Sequence, residues 1–318
     1  MPQYSTVTVP IELHGQRIDS ILAQLLPQYS RSQWCTWLKQ GLVTVDDKLT
    51  KPKSKVDSNA SINISETCEH YAITVNTSIP QAMPLDIVYE DDWLLIINKP
   101  AGLIVHPGAG NPRNTLVNGL IYYAKDLQYL PRAGIIHRLD KDTTGLLIVA
   151  KTLVAYNYLI KQLQLRAIKR QYLALVCGNV ISGATVATKF GRNPHNRLKM
   201  MVCSTGKDAI THYTVNQRYQ WLTLVNVTLE TGRTHQIRVH MAYKNHPIFG
   251  DPLYGKTIGY PSHWAHEDSQ LLRSFSRQAL HAQTLSVPHP QNGSHITIKT
   301  RIPDDFQSIL TKLKSYSE

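Results

Sequence analysis

The chain has 318 residues, 42% hydrophobic and 18% charged, which suggests two domains, or one with an appendage, and excludes a disordered polyelectrolyte. Its 34 lysines and arginines against 22 aspartates and glutamates give a net charge of +12, favouring a polyanionic partner such as nucleic acid or an anionic membrane surface. No window approaches the roughly 18 apolar residues of a membrane span, no signal peptide opens the chain, and Cys35, Cys68, Cys177 and Cys203 form no C-x-x-C pair, so a cytoplasmic protein with reduced thiols is expected.

Val7 and Val9 predict a first strand. Ile18, Ile21, Leu22 and Leu25 fall at helical spacing, and Pro27 ends that helix. Ser30 stands as the N-cap of a second helix, Arg31 to Gln40, with Gly41 at the stop position. Leu42 to Val45 and Lys48 to Thr50 flank Asp46-Asp47 as a hairpin, and Ile62 and Ile64 alternate as a further strand. Residues 1–67 therefore read as a compact module. Residues 68–83 read as a linker, in which Tyr71 to Val75 alternate like a strand.

The larger domain is expected over 84–318. Ile87–Tyr89, Leu94–Ile97, Leu146–Val149, Tyr172–Val176 and Trp221–Leu229 read as buried strands. Thr115–Ala124, Leu153–Leu165, Thr234–Tyr243 and Asp304–Tyr316 read as helices, the last with Phe306, Ile309, Leu310 and Leu313 on one face. Regular βαβ alternation is missing, so the expectation is an α+β fold with a mixed, largely antiparallel sheet.

Two features carry chemistry. From Thr143 to Lys207 there is no acid, while ten basic residues occur, a distribution that makes a positive surface able to attract phosphates. Between Ile135-Ile136 and the strand at Leu146 lies His137-Arg138-Leu139-Asp140-Lys141-Asp142-Thr143-Thr144-Gly145. Composition alone allows a polar turn with an Asp or Thr cap as readily as a reactive loop.

This loop resembles the signature loop of the RluA/RluD-type pseudouridine synthase family. Asn98 to Pro107 resembles the family's first motif, Arg170-Gln171-Tyr172 its basic-x-Tyr motif, and Leu229 to His240 its third. His246-Pro247, Gly250-Asp251-Pro252 with Tyr254-Gly255, and Arg277 to Ala282 extend the likeness. Arg17-Ile18-Asp19, Ser30-Arg31-Ser32, Gly41 to Val45 and Lys51-Pro52-Lys53 resemble the alpha-L RNA-binding motif. Ser58 to Ser61 departs from that motif's usual Gly-Asp turn.

The resemblance implies an isomerase that breaks the bond from ribose to N1 of uracil and rejoins the sugar to C5. It assigns the catalytic carboxylate to Asp140, an orienting guanidinium to Arg233 and a ring stacked on the uracil to Tyr172. Attack on the base, attack on the sugar and a glycal route all remain open for Asp140. Arg138 is expected to fill the space left by the flipped base, and Ile237 to wall the base. His137, Lys99 and His106, with Arg17 and Arg31 of the N-terminal module, are expected in RNA binding or structural support.

Nothing is oxidised and no group is donated, so no cofactor is expected. His235 and His240 stand five apart, away from any H-E-x-x-H pattern, so no metal is expected either. The partner implied is a structured stem-loop of large-subunit (23S) ribosomal RNA, met in pre-ribosomal particles by a monomer that does not touch membrane. The alternatives are the same chemistry on other rRNA or tRNA sites, or a non-catalytic ribosome-assembly protein.

Overall fold

The computed structural model describes residues 4–26, 29, 31–66, 68, 79–108, 111–255 and 266–316. Pro27, Ser30 and the alternation at Tyr71 to Val75 lie outside the described residues. The chain divides into two compact units: the described part of Met1–Ser78 with Asp126–Ala133, and the described part of Ile79–Lys125 with Gly134–Glu318. Among the described residues no helix is long and apolar enough to cross a membrane.

In the first unit, β1 (Tyr4–Thr8), β2 (Val43–Val45), β3 (Lys48–Leu49) and β4 (Ser61–Ser65) form an antiparallel sheet in the order β1-β4-β2-β3. The β2–β3 turn is made by Asp46 and Asp47, both at positive φ. Short Asx side chains tolerate that region well. Two helices, α1 (Ile18–Leu25) and α2 (Arg31–Lys39), complete the unit. Ile18, Ile21 and Leu22 pack with Trp34, Trp37 and the sheet residues Val43, Ile62 and Ile64. Tyr29, Trp34 and Trp37 meet edge to face at 4.9–5.3 Å, a geometry worth about 1 kcal/mol per pair beyond burial.

Arg17 and Arg31 converge on one carboxylate in this unit. Arg17 donates to Asp19 at 3.0 and 2.7 Å, and Arg31 donates to the same two oxygens at 3.0 Å each. Burial works against ionising Asp19, but the forks of Arg31 and Arg17 outweigh it and hold the carboxyl at about 2. The two arginines expected as RNA contacts are thus first of all the clasp that joins the start of α1 to the start of α2.

The second unit is built on a sheet of ten strands: β5 (Ile87–Glu90), β6 (Leu94–Lys99), β7 (Thr144–Ala150), β8 (Lys169–Cys177), β9 (Ala184–Arg192), β10 (Met200–Val202), β11 (Lys207–Arg218), β12 (Leu222–Leu229), β13 (Leu280–Pro288) and β14 (His295–Lys299). The order is β10-β9-β11-β12-β8-β13-β7-β6-β5, with β14 on β13. Every pairing is antiparallel except β13 with β7, as the α+β reading requires. The helices are α3 (Leu116–Tyr123), α4 (Leu153–Gln164), α5 (Gln236–Tyr243), α6 (His266–Ser274) and α7 (Asp304–Ser315). On one sheet face Ala155 and Leu159 of α4 pack with Leu94, Ile96, Leu146, Ile148 and Leu285. Every residue of β7 is buried, so it reads as a continuous apolar run rather than an alternation.

Gly145 marks where β7 and β13 begin their parallel contact. At φ +109° it lies so close to Ala282 that a Cβ there would stand 2.2 Å from that carbonyl oxygen. The glycine that closes the reactive-loop motif is therefore a packing requirement of the strand that carries the loop.

Candidate active site

The loop 137–143 enters from Ile135-Ile136 and leaves into β7, and its backbone is fixed at several points. Thr143 N–H donates to the Asp140 carbonyl at 3.1 Å, closing a tight turn. Gln278 donates to the Thr143 hydroxyl at 3.0 Å, and Thr144 bonds His281 at 2.8 Å. Lys99, 1% exposed, donates to the carbonyls of Pro100, Leu103 and Lys141 at 2.7, 3.0 and 2.8 Å, tying the loop to the end of β6. Burial pulls its pKa down to about 7 against the opposing fields of Asp142 and Asp140. Lys99 thus braces the loop from below, the structural side of what was expected of it.

His137 is likewise a buried support of the loop. Its ring is buried and its Nε2 accepts from Ile148 N–H at 3.3 Å. Burial, with the charge of Arg170, drives its pKa down to about 3. A neutral imidazole inside the loop has no charge to offer a phosphate. Arg138, the next residue, is exposed.

Asp140 is 14% exposed at its side chain and lines a cleft of about 420 Å³ with Val105, His106, Arg138, His235 and Arg238. Its Oδ2 accepts from Arg238 Nη1 at 3.0 Å. The resemblance had assigned this pairing to Arg233. Arg233 is instead exposed and donates its Nε–H to the Asp208 carbonyl at 3.2 Å. The reason lies in where the helix begins. His235 takes a left-handed backbone (φ 59°) at the N-cap, and α5 starts only at Gln236, so Arg233 remains in the preceding loop while Arg238 lies on the buried first turn.

Arg238 is itself held from behind. It donates through Nε and Nη2 to both oxygens of Asp251 at 2.7 and 2.8 Å, a two-pronged pairing that fixes the guanidinium plane. Asp251 also accepts the N–H groups of Leu253 and Tyr254. Burial opposes ionisation of Asp251, but Arg238 and these amides overcome it and lower its pKa. Burial likewise disfavours charge on Arg238, and the two carboxylates more than restore it. The Tyr254 ring lies 5.2 Å from the guanidinium carbon, within cation–π range.

His235 closes the other side. Its Nε2 is 4.0 Å from Asp140 Oδ1, and its Nδ1 bonds the Tyr254 hydroxyl at 2.9 Å. That hydroxyl also accepts Met200 N–H at 2.7 Å. The arrangement is satisfied when the hydroxyl donates to Nδ1, which leaves the ring proton on Nε2, facing Asp140. Burial lowers the His235 pKa against the pull of Asp140, so the ring acts as a neutral donor. Asp140 therefore has one oxygen clamped by a permanent cation and one facing the cleft. Asp142 lines the same cleft, but its carboxylate has no ion pair among the described residues, and only its carbonyl is held, by Arg277 at 3.3 Å.

Tyr172 on β8 is buried, and burial raises its pKa, with the Arg170 charge opposing and that of Asp140 adding. Its hydroxyl has no hydrogen-bond partner among the described residues. Ile237 is buried in the first turn of α5. Asp251, Tyr254 and His235 went unassigned in the sequence, although all three lie inside quoted motifs. The acid in Gly250-Asp251-Pro252 was the available signal: a carboxylate in an apolar neighbourhood requires a cation, and Arg238 is the one in reach. Among the described residues no group of three His, Cys, Asp or Glu is placed to hold a metal.

The clamped carboxylate of Asp140 lines a cleft on the mixed sheet's unit, and comparison with known proteins gives the class of the molecule. The profile described as RNA pseudouridylate synthase matches residues 93–243, and that of the S4 domain matches 16–62. The ribosomal large subunit pseudouridine synthase D of Xanthomonas campestris pv. campestris is 44% identical over 309 residues, covering 97% of this chain and 92% of that protein. The protein of the same name from Pseudomonas aeruginosa is 46% identical over 310 residues, covering 98% and 96%. Among solved structures, human RNA pseudouridylate synthase domain containing 1 superposes with a TM-score of 0.55 at 27% identity, covering 72% of this chain and 87% of that one. The chain belongs to the RNA pseudouridylate synthase family, enzymes that convert uridine to pseudouridine.

Proposed function

We propose that this enzyme isomerises uridines of large-subunit (23S) ribosomal RNA, with Asp140 as the catalytic carboxylate and Arg238 as the guanidinium that keeps it ionised and aimed. The observation that carries the reading is the chain of contacts Asp251–Arg238–Asp140, which spends one oxygen of Asp140 on a rigid partner and leaves the other at the cleft. A pinned, ionised carboxylate serves attack on the base, attack on the sugar or proton removal alike. The Tyr172 ring supplies a face on which a uracil can turn without losing contact, and its unpartnered hydroxyl is free to exchange a proton. Exposed Arg138 and His106 line this cleft, where Arg138 fills the space left by the extruded base, while Ile237 lies buried in the first turn of α5.

The ribosomal target is supported by the full-length likeness to proteins named for the large ribosomal subunit and by the S4-type unit. That unit gives a monomeric enzyme a second grip on a folded stem-loop within a pre-ribosomal particle in the cytoplasm. The acid-free basic run adds the charge such binding needs.

The test is a map of pseudouridine in total RNA from cells with and without this gene, repeated with Asp140→Ala restored to the deletion strain. Signal is expected to vanish from large-subunit rRNA positions on deletion and to stay absent with Asp140→Ala, while purified Asp140→Ala still binds the RNA. Pseudouridine at those positions in the Asp140→Ala strain would refute the assignment of the carboxylate.

A further inference from the structure

Arg170 is a buried cation that the contacts described so far leave unused. It follows the turn after α4, on β8, and sits two residues from Tyr172, so both side chains project from the same sheet face. It is 7% exposed. Its Nε is fully enclosed without a hydrogen-bond partner, and its guanidinium makes no hydrogen bond or ion pair with any described residue. Its charge is felt at both Tyr172 and His137. The acids that might have served it are engaged elsewhere: Asp140 with Arg238, and Glu230 with Arg166 and His212.

Burying a guanidinium without a partner is unfavourable, because its hydration is lost and nothing replaces it. The fold nevertheless makes room for it. Gly232, exposed in the loop before α5, lies so near that a Cβ there would stand 2.7 Å from Arg170 Nη1. The guanidinium therefore reaches up beneath an open glycine, beside the tyrosine on which the target base is proposed to lie.

We infer that Arg170 is a receptor for a backbone phosphate of the RNA next to the target uridine. The inference rests on the reading that RNA occupies this cleft. A planar fork of donors matches two phosphate oxygens, and a phosphate there neutralises the one unpaired buried cation near Tyr172. Fixing a flanking phosphate positions the ribose, whose anomeric carbon must stay in place while the base turns. Arg170 thus binds substrate, whereas the Asp140 pair does the chemistry.

The experiment compares the full-length protein with Arg170→Met and Arg170→Lys. Without RNA, Arg170→Met is expected to melt at or above the temperature of the parent, because it removes an uncompensated charge from the interior. With an in vitro transcript of large-subunit rRNA, its Kd is expected to rise about tenfold, and the slope of log Kd against log salt to flatten by about 0.7–1, the share of one phosphate contact. A transcript fragment with one methylphosphonate at the phosphate on either side of the target uridine locates the contact. One of the two substitutions is expected to weaken the parent and leave Arg170→Met unchanged. Arg170→Lys, which keeps the charge but loses the fork, is expected to fall between. An Arg170→Met protein that melts well below the parent and binds RNA with unchanged affinity and salt slope overturns the inference and makes Arg170 a structural residue. Equal methylphosphonate losses in both proteins overturn it as well. Failure of the Asp140 reading shows separately, as pseudouridine made by Asp140→Ala.

Discussion

Each unit of the molecule is organised around a small ionic cluster, and the two clusters have opposite charge arithmetic. In the N-terminal unit one acid, Asp19, lies between two cations, Arg17 and Arg31. In the catalytic unit one cation, Arg238, lies between two acids, Asp251 and Asp140. The first cluster is closed: both oxygens of Asp19 are taken twice over, its side chain is almost fully covered, and the surplus positive charge faces outward on half-exposed arginines. The second is closed at Asp251 and open at Asp140, which receives a single bond and borders the cleft. The lesson is that the same chemistry of fork and carboxylate builds a closed clasp when the acid is shared, and leaves a carboxylate bordering a cleft when the cation is shared.

The contrast is broken most severely at Arg238. Replacing Arg238 leaves Asp251, wholly buried, without its counter-ion, and removal of one partner from such a pair costs about 3–5 kcal/mol. Arg238→Met is therefore expected to lower stability sharply. Arg238→Lys, which keeps a charge in place but loses the two-pronged geometry, is expected to fold and to lose about a hundredfold in kcat with little change in RNA affinity. Arg233→Ala is the control: an exposed side chain bonded to one carbonyl is expected to change stability by less than about 0.5 kcal/mol and kcat by only a few-fold. Single-turnover rates and thermal melts of the three variants check the ranking. A dead Arg233→Ala beside a fully active Arg238→Lys would return the orienting role to Arg233.

That pair of arginines also shows how far the sequence could be read. The loop at Asp140 was legible through its resemblance to the family's signature loop, since its composition alone allowed a polar turn as readily. The strands at β6, β7 and β8 and the helices at α4 and α7 were legible from apolar runs and helical spacing. Choosing Arg238 over Arg233 needed the true start of α5, and the left-handed His235 that sets it looks in sequence like one more helical residue. Strands β9 to β11 escaped notice because their apolar residues are few and widely spaced: β9 buries only Val186 and Phe190, β10 is three residues long, and β11 buries Ala209, Thr211 and Tyr213 among polar neighbours. The Asp19 clasp joins residues 12 apart across a helix–helix connection, a proximity that only tertiary packing creates. Arg170 was visible only as half of a basic-x-Tyr motif, and its lack of a partner is a property of the fold.

A smaller effect is expected from the N-terminal clasp. Asp19→Asn keeps the shape of the side chain but removes the charge that two arginines share, leaving them to repel each other. Because both are half-exposed and solvated, the loss is expected to be about 1–3 kcal/mol rather than the larger figure for a buried pair. Catalysis by folded protein is expected to persist, with KM for ribosomal RNA raised through looser seating of α1 and α2. Amide exchange in these helices and steady-state kinetics read the two effects separately. A change in kcat with unchanged exchange would contradict a purely structural clasp.

The gentlest probe is pH, and the two units should answer it in the same direction but in separate windows. Asp19 is held at about 2 in the fold, below the ordinary carboxylate range, which corresponds to roughly 2 kcal/mol. Because the folded pKa is the lower one, that stabilisation is fully present above about pH 4 and is lost as pH falls toward 2. Lys99 also has its pKa lowered, to about 7 from 10.5, so the sense is the same, in a higher window. Between those values the unfolded chain binds more protons than the folded one, so stability contributed by Lys99 rises with pH across that window. The three carbonyls on its ammonium favour the charged form and temper the effect. Amide exchange followed separately in α1 and β6 is expected to show α1 losing protection from pH 4 downward, and β6 gaining it from pH 7 toward 10. Protection in β6 that stays flat over the second range would mean that Lys99 stays charged throughout, held by the carbonyls of Pro100, Leu103 and Lys141.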